Sequence, residues 1–128
     1  MSRSRESQQS SDEVADSISR GIGAIHHESY GSVVTRAETY LLPDLVLTVL
    51  DIELVPAERT LMAAGRGETV QQVRHEYEVA IRANFTAVVE RATGRRVTAF
   101  ASHTNLEPPF VSELFRLEPR RPASGAPR

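Results

Sequence analysis

The chain has 128 residues and a mass of 14.1 kDa, room for one domain whose core hides about two thirds of the unfolded surface. Charged residues make up 25% and the net charge is -2, so no basic field points to nucleic acid or an anionic membrane. Cysteine is absent and all 15 basic residues are arginine, which excludes disulfides, thiolate metal sites, P-loop lysines and Schiff-base chemistry together.

Residues 1–10 are rich in Ser, Arg and Gln and predict a disordered N-terminal arm. No apolar segment follows the first charges, so no signal peptide is expected and the cytoplasm is the default location. A spanning helix needs about 20 apolar residues; the most apolar run, Leu41 to Val55, is interrupted by Pro43, Asp44, Asp51 and Glu53. Ser10-Ser11-Asp12-Glu13 has capping-box spacing. Behind it Val14, Ile18, Ile22 and Ile25 recur at helical intervals, which predicts a first helix over 11–29 ended by Gly31.

Residues 33–42 and 45–54 read as two antiparallel strands around Pro43-Asp44. Proline cannot take the positive φ of a type I′ turn, so a longer loop of three or four residues is expected. A four-residue loop pairs Leu41 with Val46, Ala37 with Leu50 and Val33 with Leu54, and lines Val33, Thr35, Ala37, Thr39 and Leu41 on one face with Val46, Leu50 and Ile52. A one-residue slip would exchange faces, so burial selects this register. The opposite face sets Arg36 across from Asp51 and also carries Tyr40, Leu42, Leu45, Leu47 and Val49. An apolar second face needs a cover, from the first helix or from another subunit. These five residues are therefore a candidate interface.

Pro56 suits the first position of a short helix, with Glu58 in its first turn and Gly65 at its end. A long helix follows over about 68–93, with Val70, Val73, Tyr77, Ile81, Phe85, Val88 and Val89 as its buried stripe. Arg74, Glu78 and Arg82 step by four along what reads as a solvated face. Gly94 closes it. Two more strands, 97–104 and 111–117, flank a turn at Asn105-Leu-Glu-Pro-Pro; the second has Val111, Phe115 and Leu117 on one side. The tail 118–128 is Pro- and Arg-rich and predicts disorder. The expected fold is a single α+β domain over 11–117. It is a two-layer structure with a mostly antiparallel four-stranded sheet and a long helix packed on it, in the order α-β-β-α(short)-α(long)-β-β.

The stretch 54–100 carries Pro56-x-Glu58, Ala64-Gly65-Arg66-Gly67 and Thr93-Gly94-Arg95-Arg96-Val97 in order. With the preceding hairpin it resembles the MpsC-like family over about 30–118. That family, long catalogued as a domain of unknown function, is named for an accessory component of a bacterial sodium-translocating, membrane-potential-generating system. The resemblance implies an accessory domain partnering a membrane-associated system. The chain departs from the family pattern at Glu28-Ser-Tyr-Gly, at Pro43-Asp44 and at Ser102-His103.

Each candidate site has a plainer reading. His26-His27-Glu28 is the densest set of metal-capable groups, but neighbours on a helix point about 100° apart, so the triplet reads as a solvated helix end and no metal or other cofactor is expected. Ser102 and His103 are adjacent on a strand and face opposite ways, so they cannot form a nucleophile–base pair; no catalytic residue is assigned. Gly65-Arg66-Gly67 precedes a helix N-terminus, where free N–H groups and a guanidinium favour an anion; the alternative is a helix–helix corner. Arg95-Arg96 reads as a solvated turn. The expected function is a non-catalytic accessory or interaction domain, self-associating as a homodimer or small homo-oligomer. A small-molecule or anion-binding domain using Arg66 is the alternative, and an enzyme with a carboxylate and histidine site comes third.

Overall fold

The computed structural model describes residues 2–120. The chain runs α1 (Ser2–Ile25), a single π-helical turn (His26–Tyr30), β1 (Val33–Leu42), β2 (Leu45–Glu53), α2 (Pro56–Ala63), α3 (Gly67–Thr93), β3 (Val97–Leu106) and β4 (Pro109–Leu117). The four strands form one antiparallel sheet in the order β1-β2-β4-β3. The excursion through α2 and α3 carries the chain to the far edge, and β4 then returns to lie between β2 and β3.

α1 and α3 pack side by side on the same face of the sheet. Ile18 and Ile22 of α1, Phe85 and Val89 of α3, and Val46, Leu50, Ile52, Val111, Phe115 and Leu117 of the sheet form one buried cluster. The helices approach closely at Gly21: a Cβ there would stand 2.7 Å from Cγ1 of Val88. This glycine, a weak helix former, is needed for contact between helices rather than for a turn.

The hairpin register is the expected one near its turn, with Leu41 opposite Val46 and Ala37 opposite Leu50. Leu42 also pairs with Leu45, so only Pro43 and Asp44 form the turn. Beyond Arg36 the register shifts by one at a bulge, and Val33 meets Glu53 rather than Leu54. An extra residue re-aims everything behind it. Val34 therefore packs on the core, while Val33 and Thr35 are exposed.

α1 starts at Ser2, so the segment 2–10, where a disordered arm was expected, continues the helix, and the capping box at Ser10 lies inside it. The helix tightens no turn at its other end but widens into the π turn. Gly31, at φ 82°, stops it as expected. Of the tail, 118–120 has no regular structure and 121–128 lies outside the described residues.

The buried stripe of α3 differs from the expected one. Val73 is 48% exposed, whereas Arg74 and Glu78 are buried with Val70, Phe85 and Val89. The inward positions 70, 74, 78, 81, 85, 89 and 92 follow a mean step near one helical turn; the apolar pattern alone had put the first half of the seam one residue away. Arg82 is exposed.

Candidate functional site

Two features stand out, a polar cluster sealed beneath the helices and an apolar sheet face that no described element covers. The cluster begins with sheet register. On the inner face Thr39, Thr48, Glu113 and Ser102 lie opposite one another across all four strands. Ser19 Oγ of α1 lies 2.8 Å from Thr39 Oγ1, which lies 2.9 Å from Thr48 Oγ1, and Ser102 Oγ donates to Glu113 Oε1 at 2.8 Å. A polar row thus crosses a core that is apolar above and below it.

His26 and Glu78 complete the cluster from the helix layer. The π turn starts at His26 and sets its ring, fully buried, in a stack on Phe85 with centroids 5.1 Å apart. Wide turns of this kind are frequent at functional sites. His26 Nε2 lies 3.9 Å from Glu78 Oε1 and 3.7 Å from Glu113 Oε1. Five buried atoms here have no hydrogen-bond partner among the described residues: both His26 nitrogens, both Glu78 oxygens and Glu113 Oε2. Burying such atoms unpaired is costly.

The ionisation of the three groups reflects that burial. Loss of water drives the His26 imidazole down to about 4, against the pull of Glu78. Burial, then the charge of Glu113, pushes Glu78 up to about 8, and burial raises Glu113 to about 7.

One turn along α3, Arg74 is fully buried and makes a forked pair with Glu58, Nε to Oε2 at 2.6 Å and Nη2 to Oε1 at 2.7 Å. Tyr30 OH donates to the same carboxylate at 2.8 Å and the Val55 N–H at 3.0 Å, while the Arg74 guanidinium lies 4.2 Å from the centre of the Tyr30 ring. Glu58 therefore caps α2, as its position in the first turn implies, and also neutralises the one fully buried arginine among the described residues.

The metal-capable groups do not assemble from the local triplet. Of His26-His27-Glu28, only His26 enters the core; Glu28 is exposed, and His27 uses Nδ1 on the Ser32 carbonyl at 3.0 Å. Its true neighbours, Glu78 and Glu113, went unassigned although each left a signal. Glu78 falls on the helix seam. Glu113 sits between Val111 and Phe115 at the inward period of two. Ser102 and His103 do face opposite ways, Ser102 towards Glu113 and His103 outward.

Gly65, Arg66 and Gly67 form the corner between α2 and α3, in which Gly65 (φ 73°) and Arg66 are exposed and the half-buried Gly67 opens α3. Arg95 is pinned rather than solvated: its guanidinium donates to the Pro43 carbonyl at 2.6 Å, to Asp44 Oδ1 at 2.7 Å and to the Glu118 carbonyl at 2.7 Å. Arg96 is exposed.

On the outer face, Tyr40 and Leu42 are about half exposed, at 49% and 52%, and Leu45, Leu47 and Val49 are partly so. Tyr40, Leu47, Leu114 and Ala101 form a row across the four strands. α1, one of the two covers considered for this face, lies on the other side. Arg36 stands opposite Asp51 as expected, yet its guanidinium pairs with Glu38, which also accepts from Tyr40 OH at 2.6 Å.

A family model described as "Na+-translocating membrane potential-generating system (MpsC)" matches residues 10–119. The chain belongs to the MpsC family. The match runs from within α1 to beyond the end of β4, so both the buried cluster and the open sheet face lie inside the MpsC domain. Searches of curated proteins and of solved structures find no match. Among the described residues of this MpsC domain, no helix is long and apolar enough to cross a membrane.

Proposed function

We propose that this MpsC domain is a non-catalytic accessory and interaction module of a sodium-translocating, membrane-potential-generating system, acting from the cytoplasm as a homodimer. The family match supports the system. The outer sheet face supports the mode of action. Both α1 and α3 pack on the inner face, leaving a row of apolar side chains from Tyr40 to Leu114 without cover from the described residues. Around that row lie charges of both signs: Arg36 and Arg116, Glu38 and Asp51. A patch of this kind can be complementary to itself when a second copy is turned by two-fold rotation, the commonest closed arrangement.

Light scattering tests the module's state. At micromolar concentration the mass should be twice 14.1 kDa, and Leu47→Glu should return it to the monomer value without loss of helical signal. A monomeric wild type, with Leu47→Glu unchanged in solubility and stability, would remove the homodimer. The system is tested in cells: loss of the chain should lower the sodium-dependent membrane potential. An unaltered potential would count against the accessory role.

A further inference from the structure

We propose that His26, Glu78 and Glu113 form a binding site for one divalent transition-metal ion of the zinc class, buried between α3 and the sheet. One ligand atom from each residue lies within 4.8 Å of the others. In a tetrahedral zinc site with bonds near 2.0–2.1 Å, ligand atoms stand about 3.4 Å apart. The distances from His26 Nε2 to the two carboxylates, 3.9 and 3.7 Å, need only a few tenths of an ångström of contraction.

Three further observations point to a cation. The first is the set of unpartnered atoms. All three side chains are at least nine-tenths buried, and five of their polar atoms have no hydrogen bond among the described residues. An ion held by His26 Nε2, Glu78 Oε1 and Glu113 Oε1 would satisfy an unpartnered atom of His26 and of Glu78 and leave a second Glu78 oxygen and Glu113 Oε2 free for a two-point grip. The second is charge. Arg74 is committed to Glu58 through two short hydrogen bonds, which leaves the two facing carboxyl groups with no cation of their own among the described residues; with both protons lost they carry two negative charges. A doubly charged ion matches them. The third is support around the ligands. Ser102 Oγ holds Glu113 Oε1 at 2.8 Å, the Phe85 ring stacks on the imidazole and the Tyr77 ring packs against it at a tilt. Outer contacts of this kind fix ligand orientation in metal sites.

The donor set selects the class. One imidazole nitrogen with two carboxylates suits zinc, manganese or iron(II); magnesium and calcium prefer oxygen alone, and a monovalent ion leaves a net negative charge. Full burial argues for an ion that ties the π turn, α3 and β4 together rather than one that exchanges with a substrate. The cluster recruits one ligand from each of these elements, so the ion would cross-link helix layer to sheet.

The test uses the full chain, unfolded in urea with chelator and refolded with zinc, manganese, magnesium, calcium or sodium chloride, so that burial does not block entry. Elemental analysis after desalting should find about one zinc per chain, and the melting temperature should rise with zinc and saturate. Sodium at the same ionic strength should give no saturable rise. Glu113→Gln and Glu78→Gln keep side-chain shape and remove charge; each should fold without metal and weaken zinc binding at least about 100-fold, while Ser102→Ala, which acts through Glu113, should weaken it about 10-fold. His103→Ala, on the outer face, should leave binding unchanged. If a glutamine variant fails to fold, one equivalent of cobalt(II) on the unaltered protein supplies the readout: a visible spectrum displaced by zinc, with the His26 ring resonances broadened. Absence of stoichiometric zinc or cobalt binding would overturn the proposal. So would binding that survives Glu113→Gln and Glu78→Gln but is lost with His27, His75 or His103, and a cluster stabilised by shared protons alone would give this negative result.

Discussion

Neutralising Glu58 should cost this domain a large part of its stability. Glu58→Gln leaves the Arg74 guanidinium fully buried with its charge unpaired, in place of a fork at 2.6 and 2.7 Å. Arg74 Nη1 already has no partner among the described residues, and no other acid bonds this side chain. Removing one member of a buried pair costs about 3–5 kcal/mol, and the amide retains some of the hydrogen bonding, so about 3 kcal/mol is expected. Replacing both, as Glu58→Gln with Arg74→Met, removes the stranded charge. The double variant should then be more stable than the sum of the single losses by about 1–3 kcal/mol.

Acidity provides an independent reading of the same pair. Burial works to raise the Glu58 carboxyl, but the hydrogen bonds from Arg74, the Val55 N–H and Tyr30 outweigh it and hold the group below its ordinary 4.5. A carboxyl depressed in the folded state stabilises fully above its unfolded value and loses that contribution as pH falls through the folded one. Urea denaturation at pH 7 and at a series of values below 4.5 should therefore show an acid loss in the wild type that is shallower in Glu58→Gln. A loss under about 1 kcal/mol at pH 7, together with an unaltered acid limb, would refute the reasoning and mean that Arg74 finds water or another partner.

Phe85 is fully buried against His26 and Phe100, and Phe85→Ala should cost about 3–5 kcal/mol by urea denaturation; a loss below about 1 kcal/mol would contradict the packing. Gly21→Ala gains up to about 1 kcal/mol of helix propensity but sets a methyl 2.7 Å from the stiff Val88 side chain. Overpacking of this sort costs about 1–3 kcal/mol, so a net fall in melting temperature is expected, relieved in part by Val88→Ala.

Local pattern determined most of the fold. Apolar residues at helical and alternating intervals marked every helix and strand, and the glycines at 31, 65 and 94 marked the stops, each now at positive φ. The register of the first hairpin near its turn followed because one buried face tolerates only one alignment, while the bulge beyond Arg36 left no mark in the pattern. These features depend on neighbours in the chain, so they are written in short segments of it. The site was another matter. Arg74, Glu78 and Glu113 lie on inward positions, but a charged residue is ordinarily wet, and only a partner from elsewhere makes its burial affordable. Those partners are distant: Glu58 lies 16 residues from Arg74, and His26, Glu78 and Glu113 come from three elements brought together by packing. The side of the sheet that receives α1 is equally a tertiary decision. A narrow stripe of Val14, Ile18, Ile22 and Ile25 fits either apolar face, and it is the close approach at Gly21, against Val88 of α3, that seats it beside the long helix and leaves the other face open.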